Sequence, residues 1–496
     1  ENGMKISIDK SSKVPVYLQI ADQIKAQIIS GALPRSSALP SERALAQILD
    51  VHRNTVVKAY GELKSDAWIE SRQGVGYLVA SASTEKEPVG ESGEGVQMGR
   101  VNWVNEVADK YLDMEKTFDD LFQRFTDESH FSLGSGIASR EVYSSERVAH
   151  DIAGLLTGSG PSQYFFSPYK GDRFLRQKLA SFLGTKGVRA SSGEIQILSE
   201  TNQALDFIVT LLVKPGDSVV MEEPVHPDMY RVMELAGARI LTVPVDEDGM
   251  NCDVLESLLT QTRPRLIFVN SSFHDPTGCI LSLERRKKLV ELSSRYRIPI
   301  VEEDAASELV YDGDKLPPIK AFDTTGNVIY IYSFSLTFIP GLSLAFVTGN
   351  RDFVRALSYL VSVRLMASDW MTQKLLGMYL DDGSYYSSLA TFREIYSGNR
   401  DLVCQKLDAL AHLGVRYERP RGGVYVWCRL PDGVDSKHFI NRAYNMGVTL
   451  IPGHVFYPYK NGGRDYIRIN YSYESRERLA CGMDVLHKAL EEELEE

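Results

Sequence analysis

A short stretch near the N-terminus carries side chains that are well suited to contact nucleic acid. Within "VHRNTVVKAYGELKSDAWIES" these are His52, Arg53, Asn54, Thr55 and Lys58. The guanidinium of Arg53 can donate two hydrogen bonds to the edge of a guanine, whereas a hydroxyl such as that of Thr55 suits phosphates. The cluster therefore predicts contact with double-stranded DNA, provided that neighbouring elements present it on one surface.

Helical periodicity predicts such elements. An apolar stripe in "PVYLQIADQIKAQIISG" predicts a first helix closed by Gly31, and Ser41 is a candidate N-cap for a second helix in "LPSERALAQILD". The polar cluster then lies at the start and on the outer side of a third helix. The inward positions of that helix are Val51, Val56, Tyr60 and Leu63. Two short helices followed by arginine and hydroxyl residues at the start of the next form a helix-turn-helix pattern.

A small hairpin is predicted directly after the third helix. The residues "IESRQGVGYLV" (69–79) alternate in polarity, and Gly74 and Gly76 supply the turn. Three helices followed by such a hairpin closely resemble the winged helix of GntR-type bacterial regulators, and the resemblance covers about residues 15–80.

The resemblance implies particular DNA contacts. They come from Arg43 of "PSER", from Arg53 and Thr55 of "HRNT", and from the wing at Arg72 and Gly74. One position departs from the family, because the arginine often found just before "LPSER" is Ala38 here. This change removes one DNA contact or indicates a different operator.

The charge of the chain is distributed unevenly. The net charge over 496 residues is −11, yet residues 1–80 contain 10 Lys/Arg against 8 Asp/Glu, so the N-terminal part is the one able to approach phosphates. Residues 81–100 are rich in Ser, Gly and Glu, which is typical of a flexible linker. We predict a DNA-binding domain at 1–80, a linker at 81–112 and a larger domain at 113–496.

The larger domain alternates apolar, strand-like runs with helical stretches. Examples are "SVVMEEP" (218–224), "RLIFVNSS" (265–272), "IPIVEED" (298–304) and the helical "LERRKKLVELSSRY" (283–296). This alternation predicts an α/β domain with a mostly parallel sheet.

Eight motifs in the family's order make the stretch 160–480 resemble the fold-type I aminotransferases. Among them are "SETNQALDFIV" (199–209), "FHDPTGCILSLERRKKL" (273–289), "PRGGVYVWCRLP" (420–431) and "YIRINYSY" (466–473). That resemblance implies helices on both faces of the sheet and a smaller C-terminal α+β subdomain. The fusion with a winged helix resembles the MocR subgroup of GntR regulators, which implies head-to-tail homodimers.

Fold-type I enzymes use pyridoxal phosphate, and this chain departs from their pattern at the cofactor positions. In "YIYSFSLTFIPGLSLAF" the Schiff-base lysine is replaced by Leu336 and the phosphate-binding arginine by Ser343. The aspartate that holds the pyridine nitrogen corresponds to Glu303, or to Asp304 if the alignment shifts by one residue. The asparagine of the enzymes' "NPTG" is Asp275.

Two further positions change in the same pocket. Ala305 stands at the position of a tyrosine donor, and Glu200 replaces the small glycine before Thr201. Neutral hydroxyls remain at Thr201, Ser333 and Ser335, but alone they are a poor phosphate site. We therefore predict that covalent pyridoxal phosphate chemistry is absent, that tight noncovalent binding is absent as well, and that there is no catalytic residue or metal site.

Some of the pocket persists. His226 stands where the enzymes stack an aromatic ring on the cofactor, and the alternative is a packed loop histidine. Arg468 matches the arginine that holds a substrate or effector carboxylate, and the alternative is that this strand residue forms an ion pair with one of the many acidic residues of the chain. The predicted effector pocket comprises Thr201, Asn202, His226, Asp275, Glu303, Ser333, Ser335, Leu336, Ser343 and Arg468.

Three functions remain open from the sequence. The chain is a DNA-binding regulator that senses an amino-acid-like small molecule, a regulator whose large domain only dimerises, or a working aminotransferase with a DNA-binding appendage. Leu336 argues strongly against the third, since the missing lysine is the nucleophile.

The start "ENGMKISIDKSS" has no signal-peptide-like apolar core, and the five cysteines show no disulfide or metal spacing. We accordingly expect a cytoplasmic protein.

Overall fold

The structure of the protein is a computed structural model. It describes residues 6–9, 14–29, 32–34, 37–65, 68–72, 76–80, 124, 128–158, 168–365 and 369–495. The predicted linker at 81–112, the predicted helix cap Gly31 and the wing residue Gly74 lie outside these ranges, so the predicted domain boundaries stay predictions. The chain divides into two compact units, Glu1–Asp120 and Leu121–Glu496.

The described part of the first unit contains three helices and a hairpin. Its elements are α1 (Val16–Ile29), α2 (Glu42–Leu49), α3 (Arg53–Ser65), β1 (Ile69–Arg72) and β2 (Gly76–Val79). The predicted N-cap is confirmed, because the Ser41 side chain accepts a hydrogen bond of 3.2 Å from the Ala44 amide.

The core of this unit follows the predicted stripes. Ile20, Ile24, Val56, Tyr60 and Leu63 are fully buried within it. Val51, the first of the predicted inward positions, also packs against this core. It lies before α3, because the helix begins two residues later, at Arg53.

The second unit contains the remaining helices and strands. Its helices are α4 (Ser145–Gly158), α5 (Arg173–Thr185), α6 (Thr201–Leu212), α7 (Pro227–Leu235), α8 (Cys252–Gln261), α9 (Leu283–Tyr296), α10 (Arg351–Arg364), α11 (Trp370–Asp381), α12 (Ser384–Asp408), α13 (Ser436–Asn445) and α14 (Arg476–Glu495). No helix in the described ranges is both long and apolar enough to cross a membrane.

The strands form an eight-stranded sheet, a four-stranded sheet and a separate two-stranded sheet. They are β3 (Phe131–Ser132), β4 (Ile195–Leu198), β5 (Ser218–Glu223), β6 (Arg239–Asp246), β7 (Gly249–Met250), β8 (Ile267–Asn270), β9 (Ile300–Asp304), β10 (Val328–Ser333), β11 (Ala345–Thr348), β12 (Arg416–Tyr417), β13 (Tyr425–Arg429), β14 (Val448–Thr449), β15 (Ile451–Pro452) and β16 (Tyr466–Asn470). The large sheet has eight strands in the order β4-β11-β10-β9-β8-β5-β6-β7.

Parallel pairing dominates the large sheet, as predicted. The strands from β10 through β9, β8 and β5 to β6 are mutually parallel, whereas β11 and β7 run antiparallel to their neighbours. Such strands are largely apolar because helices cover both faces of the sheet, and the acidic residues of β5 and β9 stand at the carboxyl ends of those strands. The antiparallel sheet β12-β13-β16-β15 forms the smaller C-terminal α+β part together with α13 and α14.

The register of the sheet determines which polar residues meet. Asn270 at the end of β8 pairs with Glu303 near the end of β9. Because β8, β9 and β10 are parallel, their carboxyl ends lie at one edge of the sheet, where open α/β sheets bind ligands. The chain leaves β10 at this edge and continues through Ser335 and Leu336.

Candidate functional site

The predicted DNA-contacting residues of α2 and α3 lie on the surface of the first unit. Arg43, His52, Arg53, Asn54 and Lys58 are exposed, and Thr55 is half-buried. The amide of Asn54 donates a hydrogen bond of 3.2 Å to Nδ1 of His52, which helps to begin α3. The side chain of Arg72 and all of Gly74 fall outside the described part of the chain.

Arg53 is held by a carboxylate that the sequence analysis did not single out. Its Nε and Nη2 donate hydrogen bonds of 3.2 and 2.8 Å to Oε2 of Glu42. The hydroxyl of Tyr77, on the second strand of the wing, donates one of 2.9 Å to Oε1 of the same residue. The hydrogen bond from Arg53 lowers the pKa of Glu42, so the carboxylate is charged at neutral pH. The second strand of the wing and both helices of the helix-turn-helix thus meet at the Glu42 carboxylate.

Ala38, the position that departs from the family, lies beside the wing. It forms an isolated antiparallel bridge with Leu78, and its own side chain is exposed. The bridge is formed by backbone groups and the side chain is exposed, so the fold does not require a particular side chain at this position.

A cavity of about 140 Å³ lies at the carboxyl edge of the large sheet. It is lined by Gly136, Thr201, Val225, His226, Met229, Phe268, Asn270, Ser272, Phe273, Asp275, Glu303, Ala305, Ala306, Ser335, Leu336 and Tyr425. Six of the ten residues predicted for the effector pocket are in this lining. They are Thr201, His226, Asp275, Glu303, Ser335 and Leu336.

Four predicted pocket residues are not in the lining. Asn202 donates a hydrogen bond of 3.2 Å to Asp228, and Ser333 accepts one of 3.2 Å from the amide of Ser335. Ser343 is half-buried in the turn before β11, and Arg468 is only 2% exposed. Their contact with a ligand stays a prediction, because these four side chains lie outside the lining of the cavity.

Glu303 is the acid of β9 that faces the cavity. It is 7% exposed, and one of its oxygens accepts a hydrogen bond from the amide of Asn270. Burial raises the pKa of Glu303 to about 8, and the neighbouring charge of Asp304 adds to the shift. A carboxyl with this pKa is mostly protonated at neutral pH.

Asp304 belongs to a different site. It accepts hydrogen bonds of 2.6 Å from the Tyr330 hydroxyl and 2.9 Å from the Ser307 amide, and Nζ of the buried Lys186 lies 3.8 Å away. Because side chains alternate along a strand, Asp304 points to the face opposite to Glu303. This excludes the alternative in which Asp304 takes the place of Glu303 at the cavity.

Arg468 forms an ion pair with Asp275, one of the two alternatives that the sequence left open. Its Nη1 lies 2.7 Å from each oxygen of Asp275, and its Nη2 donates a hydrogen bond of 2.9 Å to the Gly134 carbonyl. The guanidinium also lies over the ring of Tyr425, 4.2 Å from its centre.

Leu336 contributes an apolar side chain to the cavity at the position predicted for the missing lysine. It is 5% exposed and packs in the large hydrophobic core. None of the described lining residues is lysine or arginine.

His226 caps α7, where its Nδ1 accepts a hydrogen bond of 3.3 Å from the Asp228 amide. Glu200, at the start of α6, is exposed and outside the lining.

Asn270, Ser272 and Tyr425 are cavity residues that the sequence analysis missed. Asn270 and Ser272 lie in the quoted run "RLIFVNSS", directly at the end of β8. Polar residues at the carboxyl end of a buried parallel strand are a signal that could have identified them. Tyr425 has no such signal, because its place in the cavity depends on how the smaller sheet packs against the large one.

The raised pKa of Glu303 predicts a pH-dependent stability. The folded state binds the Glu303 proton more tightly than the unfolded chain, so this contribution is present below about pH 4.5 and is lost as pH rises to about 8. The negative charges of Asp304, Asp275 and Glu302 also raise the pKa of Glu303. The stability of Glu303→Gln relative to the wild type is therefore expected to increase as pH rises over this range, by at most about 1.4 kcal/mol per pH unit.

Thermal unfolding of the wild type and the variant between pH 5 and 9 measures this difference. The exposed Glu247→Gln is the matched control and should show no such trend. A constant difference between wild type and Glu303→Gln at all pH values would contradict the raised pKa.

Comparison with known proteins matches both units to established families. Residues 16–79 match the family described as bacterial regulatory proteins, gntR family, and residues 128–484 match aminotransferase class I and II. The HTH-type transcriptional regulator YisV of Bacillus subtilis is 27% identical over 96% of this chain and 96% of its own length. The probable rhizopine catabolism regulatory protein MocR of Rhizobium meliloti is 28% identical over 90% of this chain and 88% of its own. The chain belongs to the MocR-type transcriptional regulators.

This MocR-type regulator also resembles solved enzymes over its large domain. A kynurenine aminotransferase of Pyrococcus horikoshii superposes with a TM-score of 0.74 at 27% identity, over 79% of this chain and 98% of that one. The match confirms the predicted fold-type I architecture. Proteins with this fold normally bind pyridoxal phosphate, and the GntR domain makes the MocR-type regulator a DNA-binding protein.

Proposed function

We propose that the large domain of this MocR-type regulator senses a small, amine-bearing, amino-acid-like molecule in the cavity and has no aminotransferase activity. The observation that carries the proposal is the cavity lining around Leu336, which contains neither lysine nor arginine among its described residues. Without an amine nucleophile the domain cannot anchor pyridoxal phosphate covalently.

Noncovalent binding of the same cofactor is also disfavoured. A phosphate dianion requires cations, and each lost charge-assisted hydrogen bond costs about 1.5–3 kcal/mol. Asp275 adds a negative charge that is already paired with Arg468. The residues present therefore do not fit the cofactor.

We expect no Schiff-base absorption band when pyridoxal phosphate is added to the full-length protein and the mixture is dialysed. Leu336→Lys restores the amine alone, and we expect it to form no dialysis-resistant band either, because the cofactor's other partners are missing. A band in the wild type that survives dialysis would refute the proposal. A band in Leu336→Lys alone would show that only the lysine was lost.

The regulatory output follows from the fusion of the two units. Aminotransferase-like domains are typically dimeric, so we propose a homodimer that reads paired half-sites in operator DNA, which a solution mass measurement can check. A regulator has to act where the DNA is, and this supports the predicted cytoplasmic location.

Sensing is tested by operator affinity. An operator fragment is first selected from random-sequence DNA with the full-length protein, and its affinity is then measured with and without candidate amines and amino acids. A compound that binds the cavity and changes operator affinity supports the sensor. If compounds bind without changing operator affinity, or none binds, the alternative of a dimerisation scaffold is favoured.

A further inference from the structure

Arg468 already has a carboxylate partner inside the protein. Its Nη1 is 2.7 Å from both oxygens of Asp275, and its Nη2 is bonded to the Gly134 carbonyl at 2.9 Å. Asp275 comes from the loop after β8, 193 residues earlier in the chain. The family resemblance implies that this arginine binds the carboxylate of a substrate or effector. Here a side chain of the protein occupies the same guanidinium.

The cavity beside this ion pair is rich in hydrogen-bond acceptors. Asp275 and Glu303 are its acidic lining residues, and the lining contains no lysine or arginine in the described part of the chain. Oδ1 of Asn270 is buried and has no hydrogen-bond partner among the described residues. Buried acceptors of this kind favour a ligand that brings donors.

A ligand carboxylate and a ligand ammonium would meet different costs in this cavity. A carboxylate has to displace Asp275 from Arg468, which leaves the Asp275 side chain, only 16% exposed, without its cation. An ammonium group displaces nothing. It can donate to Glu303 and to Asn270, and its charge favours the ionised form of Glu303.

We propose that Asp275 is a built-in carboxylate ligand of Arg468 and that the cavity therefore selects small alkyl amines over amino acids and carboxylic acids. The inference rests on the proposed function in that the cavity binds a small amine-bearing molecule, and it replaces the amino-acid-like ligand by one with an ammonium group and no carboxylate.

Three probes with the same branched apolar chain test this selectivity in the full-length protein by calorimetry. The first is 3-methylbutylamine, which carries an ammonium group. The second is 4-methylpentanoate, which carries a carboxylate, and the third is leucine, which carries both groups. The wild type is expected to bind the amine at least tenfold more tightly than leucine and to bind 4-methylpentanoate least of all.

Asp275→Asn is the decisive variant, because it keeps the side-chain shape and releases the charge of Arg468. We expect it to raise the affinity for leucine and 4-methylpentanoate at least tenfold and to lower the affinity for the amine. Asp248→Asn removes the same charge from an exposed turn and should leave all three affinities unchanged.

A second variant leaves the ion pair intact. Glu303→Gln should weaken binding of the amine at least tenfold relative to 4-methylpentanoate, which has no ammonium group, so the inference remains testable if Asp275→Asn does not fold. Leucine binding as tightly as the amine in the wild type would overturn the proposal. Unchanged selectivity in the folded variants would also overturn the proposal. If no probe binds the wild type, the proposal is overturned when Asp275→Asn shows no gain in affinity for leucine or 4-methylpentanoate.

Failure of the sensor function would look different. Operator affinity is measured in the same samples, with each probe at saturation. Amine selectivity without any effect on operator affinity would refute the sensor and leave the role of Asp275 standing. An effect of leucine on operator affinity, together with preferred leucine binding, would refute the role of Asp275 and support the sensor.

Discussion

Arg53→Ala in the full-length protein is expected to abolish specific operator binding. Arg53 begins α3 on the exposed side of the first unit, where a recognition helix presents its first residues to the major groove. A bidentate contact between arginine and a base is worth about 1–3 kcal/mol, or about 5- to 150-fold in affinity. In the proposed homodimer the loss counts twice, because each subunit reads one half-site.

Binding of the selected operator and of a scrambled fragment by fluorescence anisotropy measures this effect. The loss should be confined to the operator, since binding to scrambled DNA depends mainly on phosphate contacts. Lys25→Ala removes one positive charge from α1, which carries none of the predicted contacts, and is the matched control. Wild-type operator affinity in Arg53→Ala would refute the assignment of α3 as the recognition helix.

Arg286→Met is expected to destabilise the large domain by about 3 kcal/mol or more. Arg286 is fully buried on α9 and donates hydrogen bonds to three backbone carbonyls, those of Leu281 (2.8 Å), Pro317 (2.9 Å) and Ser271 (2.6 Å). Methionine keeps the length of the side chain but leaves these acceptors unsatisfied, and each costs about 1–3 kcal/mol.

The same substitution should loosen the loop that carries Asp275. Nη2 of Arg286 also donates a hydrogen bond of 3.2 Å to the hydroxyl of Ser272, a cavity-lining residue. Chemical unfolding monitored by circular dichroism measures the loss of stability. Arg295→Met, on the exposed side of the same helix, breaks only surface ion pairs and should cost less than about 1 kcal/mol. Equal effects of the two variants would contradict the structural role of Arg286.

Much of the local structure could be predicted from the sequence. The helix Leu283–Tyr296 has the predicted bounds, Ser41 is the predicted N-cap, and the quoted strand-like runs contain β5, β8 and β9. These features depend on residues a few positions apart, through helical periodicity, capping and continuous apolar runs. The leucine at position 336, where the resemblance to the enzymes predicts a lysine, is likewise visible from the sequence alone.

The partners of the charged groups depended on the tertiary structure. A sequence cannot tell whether Arg468 faces a ligand or Asp275, because the two residues are 193 positions apart and meet only when the smaller sheet packs beside the large one. Strand alternation separates Glu303 from Asp304, but only the packing of the sheet decides which of them reaches the cavity. The pairing of Arg53 with Glu42 also requires α2 and α3 to cross. Local periodicity determined the elements, and long-range packing decided which charges remain available to a ligand.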